Sequence, residues 1–359
     1  MLLKDYIPNI NKKYKDIFFS GISFSTSKVK KKNIFFAIKG TKTSGNNFIN
    51  EAISRGASAI VIDKKTKIKK FKTPIIKVVD VRKELSKACA HLYTKKPSNV
   101  IAVTGTNGKS SVVNFFYQIL NLNKVAVASI GTLGIFSKNY NKKTNLTSID
   151  SLSLHKVLQN FKKKKINNVI LEASSHGLKQ HRLDGLKFNL GIFTNLSRDH
   201  LDYHKTYKDY FDSKLILFKK LMKKKSNIIF DQDLNIANKI RKIAKKNNLS
   251  QLCIGSNNSD LVVIDHKFLN FKQHVRFFYK NNTYSFSTQL IGKVQINNLL
   301  MSILAASKSN LKLKKILNLI EKVKPVPGRL EKISNLKNNS TVILDYAHPP
   351  DALRVCLKN

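Results

Sequence analysis

Residues 100–112 read Val-Ile-Ala-Val-Thr-Gly-Thr-Asn-Gly-Lys-Ser-Ser-Val, an apolar run, a glycine turn and the opening of a helix. A short apolar run bounded by a turn suits a buried strand. Gly105 and Gly108 let backbone N–H groups approach an anion, and the helix N-terminus that follows adds partial positive charge. Lys109 would neutralise distal phosphates and the Ser110 hydroxyl would ligate Mg²⁺, so the tract predicts a phosphate cradle on a strand–turn–helix unit. It departs from the full G-x-x-x-x-G-K-[ST] pattern because Val103 holds the first glycine position. The plainer alternative is a glycine turn that binds nothing.

Around that unit the chain alternates. Strand-like runs at 100–103, 125–128, 169–171, 190–193 and 228–230 interleave with helical stretches at 110–120, 151–161, 207–222 and 234–246. Such alternation predicts βαβ crossovers and a mostly parallel sheet covered by helices. Residues 1–97 read as a smaller α/β unit, with strands at 34–38, 59–62 and 75–79 and helices at 48–55 and 82–93. Residues 261–290 alternate as hairpin strands around Asn281-Asn282, and a helix follows at 295–307. The polar break Lys95-Lys-Pro-Ser98 and the tract Lys324-Pro-Val-Pro-Gly328 mark linkers, giving domains at 1–97, 98–325 and 326–359. The last of these holds a strand at 342–344, a turn at Pro349-Pro350 and the start of a helix, too little to bury its own core, so a truncated third domain is expected.

Composition bounds the partners. Lys plus Arg number 66 against 21 Asp plus Glu, a net charge of +45 in 359 residues. That suggests a polyanion, but the lysines are scattered in short runs, and a solvated basic surface is the better account of them. Cys89, Cys253 and Cys356 stand far apart, so neither a disulfide framework nor a cysteine zinc site is indicated, and a reducing cytoplasm is expected. No signal-peptide core and no run of ~18 apolar residues is present, which argues against secretion and membrane insertion.

Two further tracts carry chemistry. Glu172 ends an apolar strand, where open α/β sheets bind ligands, and a carboxylate there beside a nucleotide would hold Mg²⁺. After it, Ser174, His176, Gln180, His181 and Arg182 supply donors suited to a carboxylated or phosphorylated substrate; a polar loop is the alternative. In residues 193–204, His200, Asp202 and His204 at alternate positions fit a hydrolytic metal centre, although no further cluster completes such a set. Lys214, among apolar residues at helical spacing, reads most simply as a snorkelling side chain.

Thr104-Gly-Thr-Asn-Gly-Lys-Ser110, Glu172-Ala-Ser-Ser-His176, the 193–204 tract, Pro327-Gly-Arg-Leu-Glu331 and Asp345-Tyr-Ala-His348 stand in this order. Together they resemble the Mur ligases of peptidoglycan synthesis, most of all the MurE type, which adds the third residue of the stem peptide. The tract 172–182 separates that type from its relatives, which include folylpolyglutamate synthases. The resemblance implies a UDP-binding N-terminal domain, a P-loop ATPase-like central domain and a Rossmann-like third domain. It further implies a cytoplasmic monomer in cell-wall biogenesis, cell shape and division, with no nucleic-acid or membrane partner. Gly105, Thr106, Asn107, Gly108, Lys109, Ser110 and Ser111 would hold the ATP phosphates, and Asn195, Asn298, Arg329 and Asp345 would contact the nucleotide. Ser110 and Glu172 would share one Mg²⁺, and His200 with a carbamylated Lys214 a second. Thr147, Ser148, Ser174, Gln180 and Arg182 would grip the muramoyl dipeptide, while Thr26 and the loop 43–46 approach its uridine diphosphate. The chain departs from the family in Ser25-Thr-Ser27, where Asp-Ser-Arg is usual, in Gln295 for an asparagine, and in the absence of the Asp-x-Pro-Arg tract that selects the incoming amino acid.

Such a site implies that a D-glutamate γ-carboxylate attacks the ATP γ-phosphate to give an acyl phosphate, which the amine of meso-diaminopimelate or lysine then displaces. Two other readings stand beside it: a fragment that binds ATP and UDP-muramoyl dipeptide without turnover, and a basic nucleic-acid-binding P-loop protein.

Overall fold

The computed structural model describes residues 1–5, 10–40, 43–256, 258–269, 272–335, 340–347 and 350–357. It divides into two compact units: Met1–Lys96 with Asp150–Asn160 and Gln180–Leu186, and Pro97–Ile149 with Phe161–Lys179 and Lys187–Asn359.

The first unit is built on a four-stranded parallel sheet in the order β1 (Gly21–Ser23), β2 (Asn33–Phe36), β3 (Ala59–Asp63), β4 (Ile75–Val78). β2 is buried along its whole length and β3 through its first four residues, as strands covered on both faces must be. Helix α1 (Ile49–Ser54) contributes Ile49 and Ala52 to one core. Helix α2 (Val81–Leu92) opens on Asp80, whose side chain accepts from Lys83 N–H at 2.9 Å, an N-cap that satisfies one of the free amides of the first turn. Its buried Val81, Leu85, Ala88 and Cys89 recur at helical spacing and fill the other core.

The remaining elements run β5 (Asn99–Thr104), α3 (Lys109–Leu122), β6 (Val127–Gly131), β7 (Gly134–Ser137), β8 (Tyr140–Lys142), α4 (Ser151–Lys163), β9 (Asn168–Glu172), α5 (Ser175–Lys179), β10 (Phe188–Phe193) and α6 (Tyr207–Ile216). Then come β11 (Met222–Asp231), α7 (Ala237–Lys246), β12 (Ser250–Gly255), β13 (Leu261–Leu269), β14 (Lys272–Tyr279), β15 (Asn282–Thr288), α8 (Lys293–Ser307) and α9 (Leu313–Leu317). β16 (Glu331–Asn335), β17 (Thr341–Leu344) and α10 (Pro350–Leu357) close the series.

The large sheet of the second unit has eleven strands in the order β15-β14-β13-β12-β11-β10-β5-β9-β6-β7-β8. Pairing is parallel from β13 through β6 and antiparallel in the hairpins at both ends, the mostly parallel α/β arrangement that the alternation predicts. β5 lies between β10 and β9, so the turn that leaves it opens beside the carboxyl ends of both neighbours. Helix α3 is apolar on nearly every face, with Val112, Phe115, Phe116 and Leu120 fully buried, and it packs against the equally buried α8. Ser302 Oγ on α8 donates to the Val112 carbonyl at 3.1 Å, so this buried hydroxyl is satisfied.

Two expectations are corrected. The helix predicted over 207–222 ends as an α-helix at Ile216, passes through one π-helical turn, and gives way to β11 at Met222. The register on β10 slips between Phe188↔Met222 and Leu190↔Asn227, which puts the charged run Lys223-Lys224-Lys225 outside the ladder and in solvent. The strand at 342–344, the one strand expected in the last domain, pairs antiparallel with a second, β16, whose polar sequence Glu-Lys-Ile-Ser-Asn carries little strand signal. Pro349 and His348 lie outside the described residues, while Pro350 begins α10, where a missing amide hydrogen costs nothing. Among the described residues, no helix is long and apolar enough to cross a membrane.

Candidate functional site

The phosphate-cradle tract folds as strand, turn and helix: β5 ends at Thr104 and α3 begins at Lys109. Gly105 has φ +143° and Gly108 has φ +80°, conformations that side chains other than glycine rarely adopt. Both are also crowded: a Cβ at Gly108 would lie 2.5 Å from Asn298 Oδ1, and one at Gly105 would collide with Thr194 Oγ1. The first amides of α3 have no intrahelical acceptor, so they face the turn as anion donors. Lys109 folds back over the loop, donating to the carbonyls of Gly105 at 3.0 Å and Thr106 at 2.6 Å. Burial pulls its pKa below the ordinary lysine value, while Glu172 and Asp199 push it back up.

Glu172 closes β9 beside this turn and is 2% exposed. Its carboxylate accepts from Thr132 N–H at 2.7 Å and Thr132 Oγ at 3.1 Å, and from the Ser110 hydroxyl. Burial raises its pKa, and Lys109 and those hydrogen bonds oppose the rise. Thr132 Oγ1 also reaches Thr147 Oγ1 at 3.1 Å. Ser148 Oγ donates to the Glu172 carbonyl at 2.9 Å and accepts from Ser174 N–H at 2.9 Å, so Thr147, Ser148 and Ser174 gather around the end of β9.

Asn107, Gly108, Ser111, Asn195, Asn298, Arg329 and Asp345 line one cavity of about 340 Å³, a size suited to a small ligand. Asn195 accepts from Asn107 N–H at 2.9 Å and donates to its carbonyl at 3.2 Å. Asn298 donates to Gln295 Oε1 at 3.2 Å, and Gln295 donates to the Arg329 carbonyl at 3.0 Å. Asp345 accepts from Leu330 and Ala347 N–H, and the Arg329 guanidinium lies 4.9 Å from the Tyr346 ring centroid. Asp231 and Ser197 are among the polar groups of this cavity that escape the sequence reading. Asp231 ends β11 as Glu172 ends β9, and that shared strand-end position is a readable signal. Ser197 Oγ is buried without a hydrogen-bond partner among the described residues, an orphan that a bound ligand would satisfy.

Lys214 is 1% exposed, so the snorkelling reading gives way to a buried amine. Its Nζ donates to the Gly105 carbonyl at 2.7 Å and lies 4.2 Å from the Tyr210 ring centroid. Burial and the nearby Lys109 charge hold its pKa well below the ordinary value. His200, with φ +53°, packs its ring against His176 at 4.9 Å and Tyr210 at 6.1 Å. His204 is turned inward to Ser175 Oγ at 3.0 Å. Among the described residues no group of three or more His, Cys, Asp or Glu is arranged to hold a metal, so His200, Asp202 and His204 do not assemble. The Ser110 hydroxyl and Glu172 carboxylate are hard oxygen donors that fit Mg²⁺, which commonly takes one or two carboxylates and fills its shell from phosphates and water. His200 and a free Lys214 amine fit it less well, since they offer no anionic oxygen.

The first unit has its own cavity of about 350 Å³, lined by Ser25, Thr26, Thr43, Gly45, Gln180 and Arg182 among others. Arg82 donates to Gln180 Oε1 at 3.4 Å and to the Lys39 carbonyl at 3.0 Å, and Arg182 donates to the same Gln180 oxygen at 2.8 Å. Two guanidinium groups thus converge on Gln180, a setting suited to an anionic ligand. Arg82 carries no sequence signal, because it reads as an ordinary charge on a helix.

Residues 103–306 match the Mur ligase middle domain, and residues 19–93 match the Mur ligase family catalytic domain. UDP-N-acetylmuramoyl-L-alanyl-D-glutamate--2,6-diaminopimelate ligase of Rickettsia montanensis is 38% identical over 94% of this chain and 70% of its own length. The enzyme of the same name from Mesorhizobium japonicum is 37% identical over 94% of this chain and 70% of its own. A solved structure of a ligase of that name superposes with a TM-score of 0.86 at 27% identity, covering all of this chain and 73% of that one. MurF ligase from Thermotoga maritima, solved in complex with ADP, shares the fold at a TM-score of 0.67 and 20% identity, over 96% of this chain and 75% of its own.

Proposed function

The chain belongs to the Mur ligase family, and on that footing we propose that it is an ATP-dependent amide ligase joining 2,6-diaminopimelate to UDP-N-acetylmuramoyl-L-alanyl-D-glutamate in peptidoglycan synthesis. The observation that carries the reading is the glycine turn from which Lys109 and Ser110 open a helix beside the buried Glu172. The names of the relatives favour diaminopimelate over lysine as the acceptor.

A carboxylate is a poor electrophile, and the chemistry must first activate it. The D-glutamate γ-carboxylate oxygen attacks the γ-phosphorus of ATP in line; the bond to the β-bridging oxygen breaks and ADP leaves. The acceptor amine then attacks the acyl carbon, expels phosphate and loses a proton, leaving an amide. The N–H groups at the start of α3 and the Lys109 ammonium stabilise charge developing on the transferred phosphoryl group. Ser110 and Glu172 would hold Mg²⁺, which supplies charge neutralisation at the phosphate oxygens. Asn195, Asn298, Arg329 and Asp345 would orient the nucleotide, and Asn107 and Ser111 the phosphates nearest the cavity. Thr147, Ser148, Ser174, Gln180 and Arg182 would grip the muramoyl peptide, and Thr26 its uridine diphosphate. Carbamylation of Lys214 would turn that amine into an anion, and with His200 it would then offer a second Mg²⁺ position. No side chain is required as a covalent nucleophile, so catalysis is positioning and electrostatics.

Lys109→Ala tests the reading. ATP affinity measured by calorimetry is expected to fall at least about tenfold, the loss of a charge-assisted contact. Unchanged affinity would return Lys109 to the scattered surface lysines.

A further inference from the structure

The phosphate loop is held by hydrogen bonds from the segment 195–197 and from helix α6. Thr106 N–H donates to the Asn195 carbonyl at 3.0 Å. Its hydroxyl donates to the Ser197 carbonyl at 3.3 Å and accepts from Ser197 N–H at 3.0 Å and the Tyr210 hydroxyl at 3.1 Å. A threonine hydroxyl has one proton and two lone pairs, so all three are engaged and none is left for a phosphate. Tyr210 is 1% exposed and stands on α6, four residues before Lys214, so both side chains leave the same face of the helix. Lys214 grips the Gly105 carbonyl and Tyr210 grips Thr106, two successive residues of the loop. Burial pushes the Tyr210 phenol above its ordinary pKa, which keeps the donated proton in place.

We infer that Tyr210 and Thr106 are positioning residues whose shared hydrogen bond sets the shape of the phosphate loop and so tunes affinity for the triphosphate without contact to it. The inference rests on the ATP-binding reading above. A loop containing two glycines has wide conformational freedom, and its amides converge on an anion only when the backbone is held. Asn195 holds the loop from one side, through Asn107. Helix α6 holds it from the other, through Lys214 to Gly105 and Tyr210 to Thr106.

Calorimetric titration with ATP and with adenosine, which lacks phosphates, separates positioning from general damage. Tyr210→Phe removes one oxygen and is expected to weaken ATP about three- to tenfold while leaving adenosine affinity unchanged and lowering the melting temperature only by the small amount that one buried hydrogen bond carries. Thr106→Val should weaken ATP at least as much, because it also removes the two contacts to Ser197, and Thr106→Ser should restore it; adding Tyr210→Phe to Thr106→Val should cost nothing more, because the bond that Tyr210→Phe breaks is already gone. Unchanged ATP affinity in Tyr210→Phe, or equal losses for ATP and adenosine, overturns the inference. If Lys109→Ala abolishes ATP binding while Tyr210→Phe does not touch it, only this inference fails. If the unaltered chain binds no ATP, the functional reading fails and takes the inference with it.

Discussion

Lys214 shows how burial changes the protonation of an ordinary residue type. In a chain with so many solvated lysines, this amine combines near-complete burial with a second cationic lysine close by, and both favour its neutral form. A neutral amine attacks CO₂ through nitrogen, loses a proton and becomes a carbamate. Under ¹³C-bicarbonate a carbamate NMR signal is therefore expected in the parent and absent in Lys214→Ala; a parent without the signal would contradict the proposal. His155 illustrates the opposite use of burial. It is fully buried, its Nε2 faces the Asp184 carbonyl at 3.2 Å, and its Nδ1 has no partner among the described residues. Burial, helped by Lys96, lowers its pKa from 6.5 to about 3. A depressed histidine pKa means that the unfolded chain takes up the proton first, so this stability is present above pH 6.5 and is lost as pH falls toward 3. The slope is about 1.4 kcal/mol per pH unit inside that window. His155→Gln keeps an N–H donor but cannot ionise, so its urea midpoint should fall less steeply with acid than the parent's. Parallel pH profiles would assign the acid sensitivity elsewhere.

Helices α3 and α8 form the element pair on which the cradle depends. Phe115 and Phe116 are fully buried on α3, and α8 presents Leu299, Ile303 and Ala306 to the same core. Phe115→Ala is expected to destabilise the fold by about 3–5 kcal/mol through lost burial and the cavity left behind, read from urea unfolding. A loss below about 1 kcal/mol would mean that α3 is not held by this packing. Elements of this kind are legible in the sequence alone: β5, α3, β9, β10 and α8 are apolar runs or helical stripes long enough for periodicity to mark them. The short or polar strands are not. Gly21–Ser23, Tyr140–Lys142 and Glu331–Asn335 have three to five residues with little apolar content, and sheet neighbours rather than intrinsic preference make them strands. The turn from α6 into β11 is hidden for a related reason, since Leu215, Leu217, Phe218 and Leu221 keep a helical stripe past the point where the chain leaves the α-helix. At the site, the glycine turn, Glu172 and the residues after it are readable because their chemistry is tied to strand ends and helix starts. Ser197, Arg82 and the Tyr210–Thr106 contact are not, because each gains its meaning from a neighbour far away in sequence.

At the scale of the whole molecule, the two units carry separate cores and separate cavities, and the charge of +45 is spread over both. Ion pairs among the described residues are few against 66 basic residues, and most involve exposed side chains, so they contribute little individually. What joins sequence to activity is therefore the glycine turn with its facing carboxylate, where the proposed acyl phosphate would form. The most direct measurement incubates the chain with ATP, Mg²⁺, 2,6-diaminopimelate and UDP-N-acetylmuramoyl-L-alanyl-D-glutamate labelled with ¹⁸O in the γ-carboxylate, and follows products by mass spectrometry. UDP-muramoyl tripeptide is expected together with phosphate that carries one ¹⁸O, since the carboxylate oxygen that attacked phosphorus departs with it. Tripeptide accompanied by unlabelled phosphate, or ATP hydrolysis with no amide formed, would contradict the proposed acyl phosphate.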